Sequence, residues 1–130
     1  MDHNTNRTIK LMKTIMTLMQ TPMKFDPGQT VITEAAKQAL LEHDCLCAWE
    51  RHVTGDWGDV ATEYRAENEL ALKCGLPLLS VYCDRAGRQF WIVTSADRSV
   101  TTILLPCESA QPKYPSSLPQ NLIADLTKTA

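Results

Sequence analysis

The pattern of apolar and polar positions is sharpest between Leu76 and Pro106, where the chain reads LPLLSVYCDRAGRQFWIVTSADRSVTTILLP. Three stretches rich in β-branched and aromatic residues, Leu78–Cys83, Gln89–Thr94 and 100–105, are separated by Asp84-Arg85-Ala86-Gly87 and by residues 95–99. Short apolar runs broken by polar turns predict a three-stranded antiparallel meander. In the last stretch Val100, Thr102 and Leu104 share one face, and Thr101, Ile103 and Leu105 share the other. Both faces are partly apolar, so helices are expected on one side and a second contact on the other.

Upstream the period changes. Ile9, Met12, Ile15, Met16, Met19 and Met23 recur at helical spacing, with Lys10, Lys13, Thr14, Thr17 and Thr21 between them. Asn6 suits a helix cap and Pro22 a stop. The segment 1–24 therefore predicts a basic amphipathic helix of about four turns, with Arg7, Lys10, Lys13 and Lys24 against the single acid Asp2. Such a helix suits the protein's own core, a membrane surface, a partner protein, or a second copy in a homodimer. Met23 is also an alternative start, which would make the preceding residues an extension.

Asp26-Pro27-Gly28-Gln29 reads as a turn, and Thr33 as the cap of a helix reaching about His43, with Ala36, Ala39, Leu40 and His43 on one face. Trp49-Glu50-Arg51-His52 reads as a helical turn. Gly55-Asp56-Trp57-Gly58-Asp59 reads as an ordered loop, since two glycines in four residues break a regular element. Asp59 or Thr62 would cap a further helix that stops at Gly75, with Pro77 beyond it. Residues 107–118 are rich in Pro and Ser and read as a linker before a short terminal helix carrying Leu122, Ile123 and Leu126. The organisation expected is an N-terminal helix or extension (1–24), an α+β core domain (25–108), and a linker with a terminal helix (109–130). The core is expected to pack helices on a three-stranded antiparallel β-meander, with the Trp57 loop pinned against the Asp97-Arg98 turn.

At 130 residues, 44% hydrophobic and 22% charged, the chain suits one domain with a core that needs no disulfides. The net charge of −2 gives no global case for nucleic-acid binding, but its distribution is uneven. Between Glu42 and Glu69 stand Glu42, Asp44, Glu50, Asp56, Asp59, Glu63, Glu67 and Glu69 against only Arg51 and Arg65, a net of −6, while the rest of the chain nets +4. An acidic surface of this kind is either a solvated helix face or one that imitates nucleic acid toward a basic partner. The five cysteines are odd in number and no export signal is evident, so the expected location is cytoplasmic, with reduced thiols. The apolar run 9–19 is interrupted by Lys10 and Lys13 and is too short to span a bilayer.

Cys45 and Cys47 are separated by one residue, which is poor spacing for a structural zinc site, so no metal is expected. No Walker loop, paired-glycine fingerprint, Gly-x-Ser-x-Gly elbow or His-Glu-x-x-His helix appears, so no cofactor is expected. His52, Asp56 and Asp97 are the candidate catalytic residues, with Arg98 beside them. If the Trp57 loop meets the turn after the second strand, they would form an acid–base or phosphate-binding cluster; otherwise they form a polar network that pins two loops. Arg85 and Arg88 with Phe90 and Trp91 offer a basic hairpin with aromatics, a weaker candidate for stacking bases. The candidate binding residues are Glu63, Glu67 and Glu69 of the acidic segment, with Trp57 and Arg98.

The succession His52-Val53-Thr54-Gly55-Asp56-Trp57-Gly58-Asp59, Leu78-Leu79-Ser80-x-Tyr82 and Trp91-Ile92-x-Thr94-x-x-Asp97-Arg98-Ser99-Val100-Thr101-Thr102-x-Leu104-Leu105-Pro106 resembles a family of small "plasmid-related" proteins. These occur on plasmids, integrative elements and prophages. The resemblance covers about residues 28–108. It departs at Pro106-Cys107-Glu108-Ser109, where family members often carry an aromatic residue. Some members carry a restriction–modification subunit label, but this chain lacks a methyltransferase's cofactor loop and Asn/Asp-Pro-Pro-aromatic motif. The resemblance implies a mobile-element protein in conflict with host defences. Its concrete form is a non-enzymatic inhibitor that binds a subunit of a CRISPR or restriction complex. The alternatives are a small hydrolase using His52, Asp56, Asp97 and Arg98, or a nucleotide binder at the Trp57 loop.

Overall fold

The computed structural model describes residues 2–20 and 22–109, with side chains described from Arg7 to Glu108 except at Thr21. The linker and helix expected beyond residue 109 lie outside these residues. In chain order the elements are α1 (Asp2–Leu18), β1 (Gln29–Ile32), α2 (Glu34–Ala39), α3 (Glu42–Val53), α4 (Thr62–Cys74), β2 (Leu78–Cys83), β3 (Gln89–Thr94), β4 (Val100–Leu104) and α5 (Pro106–Ser109).

The class is α+β, but the sheet is not a three-stranded antiparallel meander. Four strands lie in the order β1-β4-β3-β2. The meander β2-β3-β4 is antiparallel, pairing Ser80 with Ile92 and Ile92 with Ile103. β1 then adds parallel to β4, with Thr30 beside Thr101 and Ile32 beside Ile103. The Asp26-Pro27-Gly28 turn hides this strand in the sequence. Gly28 has φ of 65°, and a Cβ there would overlap the backbone of Arg98 and Ser99. The missing side chain lets β1 enter directly beside the start of β4, where Gln29 N–H donates to Ser99 O at 3.0 Å.

Helices cover both faces of the sheet. Leu79, Val81, Trp91, Val93 and Leu104 pack with Trp57, Val60 and with Tyr64 and Ala71 of α4. The opposite face, carrying Ile32, Tyr82, Phe90, Ile92 and Ile103, packs against α1, α2 and α3 through Ile9, Met16, Ala36, Cys45, Ala48, Trp49 and Val53. Two-sided burial is the reason β2 and β3 read as nearly continuous apolar runs.

The helix boundaries have local causes. Thr33 caps α2, its Oγ1 accepting from Ala36 N–H at 3.2 Å. Leu40 and Leu41 are extended and break the expected helix, so α2 and α3 are separate. The helical turn expected at Trp49–His52 is the C-terminal part of the continuous α3. Neither Asp59 nor Thr62 caps α4; Ala61 occupies that position without a side-chain bond. Gly75 ends α4 in the left-handed conformation, as a C-terminal glycine does. The expected apolar stripe splits: Ile9 and Met16 are buried, but Ile15 and, just past α1, Met19 are exposed, as are Leu11 and Leu18 outside the stripe.

Candidate functional site

Across the face under α1–α3, one row of sheet residues is polar where its neighbours are apolar. Thr94, Thr101 and Thr30 sit side by side on β3, β4 and β1, with Ser80 on β2 one row away. α3 lowers two side chains onto them. Trp49 Nε1–H donates to Thr30 Oγ1 at 3.1 Å. His52 bridges Ser80 Oγ (2.5 Å from Nδ1) and Thr94 Oγ1 (2.9 Å from Nε2).

The donors can be assigned from one end. Thr101 donates its hydroxyl proton to Pro27 O at 2.7 Å. Thr94, 2.8 Å away, must then donate to Thr101 Oγ1. With that proton committed, Thr94 Oγ1 accepts from His52 Nε2–H. A neutral ring is then the Nε2–H form, with Nδ1 accepting from Ser80. Burial, with a smaller contribution from the positive charge of Arg98, pushes the pKa of His52 down to about 3. The ring is completely buried and both its nitrogens are committed to the protein.

The other sequence candidates separate into two groups. His52, Trp57 and Arg98 gather around one residue the sequence reading passed over, Phe25. Its ring lies edge-on to His52 (5.2 Å between centroids) and stacks with Trp57 (6.4 Å), while the Arg98 guanidinium sits 5.8 Å from its centroid. An aromatic between a basic helix and a Pro-Gly turn gave no periodic signal. Asp56 and Asp97 do not join this group. Asp56 is exposed and pairs with Arg51 at 2.8 and 3.2 Å, which holds its carboxyl below the usual range. Asp97 accepts the hydroxyls of Ser95 and Ser99, each at 2.7 Å, and these bonds bring its pKa to about 2.

Arg98 is turned inward, to the backbone. Its Nη1 donates to Leu76 O (2.7 Å) and Ser95 O (2.9 Å), and its Nη2 donates to Ala71 O (2.9 Å). It thus ties the β3–β4 turn to the C-terminal carbonyls of α4, with Arg98 itself at a φ of 61°. The Trp57 loop is fastened elsewhere. Trp57 O accepts from Val81 N–H, and Asp59 N–H donates to Val81 O, so the loop runs as a short parallel bridge along the outer edge of β2. Tyr82 Oη donates to Asp56 O at 2.6 Å, and Trp57 Nε1–H donates to Glu69 at 2.9 Å. The expected meeting of this loop with the Asp97-Arg98 turn is made through Phe25.

The acidic segment wraps around this same edge. α3 lies on one face of the sheet, α4 on the other, and the Trp57 loop joins them past β2. Four of its eight acids are engaged internally: Asp44 with Arg85, Asp56 with Arg51, Glu69 with Trp57 and, more weakly, Asp59 with the Cys83 thiol. Glu42, Glu50, Asp59, Glu63 and Glu67 are exposed, and among the described residues none of them pairs with a cation. The basic hairpin candidate is also engaged, Arg85 with Asp44 and Arg88 with Ala39 O. Cys45 is buried and Cys47 exposed, and among the described residues no three His, Cys, Asp or Glu side chains converge as metal ligands. No helix among them is long and apolar enough to cross a membrane.

Comparison of the chain with known protein families, curated proteins and solved structures finds no match.

Proposed function

We propose that this chain is a non-enzymatic, mobile-element-encoded binding protein that blocks a host defence nucleoprotein complex of the CRISPR or restriction type. The observation that carries the reading is the belt of exposed carboxylates, Glu42, Glu50, Asp59, Glu63 and Glu67, around the β2 edge. Spaced negative charge on rigid helices can compete for a groove that otherwise holds phosphates. The belt also refines which acids act. Glu69 supports Trp57, so the contact surface on α4 is Glu63 and Glu67. The mobile-element setting rests on the sequence resemblance alone.

The alternative, a hydrolase or nucleotide binder at His52, Asp56, Asp97 and Arg98, has weaker support. His52 is buried with both nitrogens bonded, Trp57 is buried, and Arg98 donates to backbone carbonyls.

The test is a tagged capture from lysate of a host carrying a defence complex, comparing the native chain with Glu63→Lys/Glu67→Lys and Glu42→Lys/Glu50→Lys. The native chain should retain a defence subunit in stoichiometric amount, and each double reversal should reduce retention about tenfold or more, a loss of roughly 1.4 kcal/mol. Equal retention by all three chains would overturn the acidic-belt reading.

A further inference from the structure

The opposite edge of the sheet carries the complementary charge and a cavity. A groove of about 530 Å³ lies between α1 and β1, lined by Arg7, Ile9, Lys10, Lys13 and the chain from Gly28 to Thr30. Its size falls in the range of small-molecule sites. Arg7, Lys10 and Lys13 are three residues apart in turn, which brings all three onto one flank of α1. Their states differ. Lys13 is half-buried, and its Nζ donates to Gly28 O at 3.3 Å with Asp26 at 4.0 Å, so its charge is held at the wall. Arg7 and Lys10 are exposed, and neither has a carboxylate partner among the described residues.

The lining adds a hydroxyl. Thr30 is buried, lines the groove and accepts from Trp49 Nε1–H. An indole nitrogen only donates, so that bond leaves the hydroxyl proton of Thr30 available. Among the described residues the lining holds no aromatic ring on which a base would stack and no carboxylate. Two cations without a carboxylate partner among the described residues, a third held in place, and a hydroxyl in the lining match a phosphate-bearing anion.

We infer that the α1–β1 groove is a binding site for a small phosphorylated ligand, held by Arg7 and Lys10 against Lys13 and Thr30. This site lies on other elements than the acidic belt and does not depend on the role proposed for it. The phosphate could belong to a soluble metabolite or to a lipid headgroup. The site is assigned to the soluble source.

The experiment is calorimetric titration of the full chain with inorganic pyrophosphate at constant ionic strength set by chloride. It is repeated with Arg7→Ser/Lys10→Ser and with Glu63→Lys/Glu67→Lys, and sedimentation with phosphatidylglycerol vesicles runs alongside. Saturable one-to-one binding is expected, weakened about tenfold or more by the Arg7/Lys10 variant, since two charge-assisted contacts are lost. It should be kept by the Glu63/Glu67 variant. Neither Arg7 nor Lys10 has a structural partner among the described residues, so the Arg7/Lys10 variant should melt at the native temperature. Absence of saturation by pyrophosphate, equal affinity in the Arg7/Lys10 variant, or binding to vesicles without binding to pyrophosphate would each overturn the assignment.

Discussion

Helix α3 contributes His52 to the polar row inside the molecule and Glu42 and Glu50 to the acidic belt outside it, yet the fold uses the two regions in opposite ways. In the row every hydroxyl and ring nitrogen from Ser80 through His52, Thr94 and Thr101 to Pro27 O is committed. In the belt the side chains of Glu42, Glu50, Glu63 and Glu67 are committed to nothing among the described residues, and Asp59 only accepts from the Cys83 thiol at 3.7 Å. A buried polar group without a partner is costly, so the interior must be complete within one chain. A solvated carboxylate carries no such demand and is free for another molecule. Polar residue types alone do not distinguish the two regions; burial and partners do.

The contrast predicts that changes in the row reduce stability, while changes in the belt affect binding alone. The largest effect is expected at His52. His52→Ala leaves a cavity under α3 and strands both Ser80 and Thr94, and should cost about 3–5 kcal/mol in denaturant unfolding. A well-folded His52→Ala protein with a lost enzymatic activity would instead revive the catalytic reading. Next comes Arg98→Met, which removes the donors to Ala71, Leu76 and Ser95 and should cost about 2 kcal/mol, read as a lowered urea midpoint.

The row also sets a pH dependence. His52 has a folded pKa of about 3, below its ordinary 6.5, so the unfolded chain takes up the proton first. Stability is therefore complete above pH 6.5 and falls as the pH drops toward 3. Between pH 6 and 5, before most carboxylates titrate, the loss should be about 1 kcal/mol. His52→Phe should unfold with no such dependence in that interval, and an unchanged slope would show that another group is responsible. The smallest effect belongs to the belt: Glu63→Lys/Glu67→Lys should change stability by no more than about 0.5 kcal/mol.

The meander was legible because β2, β3 and β4 are consecutive and each shows its own apolar run. β1 was not, for two reasons. Its inward residues are only Thr30 and Ile32, and its partner β4 lies some seventy positions away (Gln29 beside Val100), so no local pattern reports the pairing. Helix α3 was legible only as the end of α2 and a turn at Trp49–His52, and helices α1, α2 and α4 were legible as helices but not by side. That choice depends on the crossing at the Trp57 loop, which Gly58 allows by bringing its backbone against Val81 O, where a Cβ would overlap. The cluster expected from the sequence was His52, Asp56, Asp97 and Arg98, of which only His52 and Arg98 come to one place, with Trp57. That Phe25 joins them, and that Asp56 and Asp97 turn to Arg51 and to two serines, rests on contacts between distant segments. The acidic segment was plain in composition, but only the structure separates its engaged acids from its free ones.

The most direct test of the acidic belt is the affinity of a captured defence subunit for the native chain across a series of salt concentrations. The same series is run with Glu63→Lys/Glu67→Lys, whose melting temperature is measured alongside. The account predicts native binding that weakens steeply as salt rises, and a variant that melts normally but binds about tenfold or more weakly with a shallower salt dependence. Native binding indifferent to salt, or a variant that binds as tightly as the native chain, would contradict it.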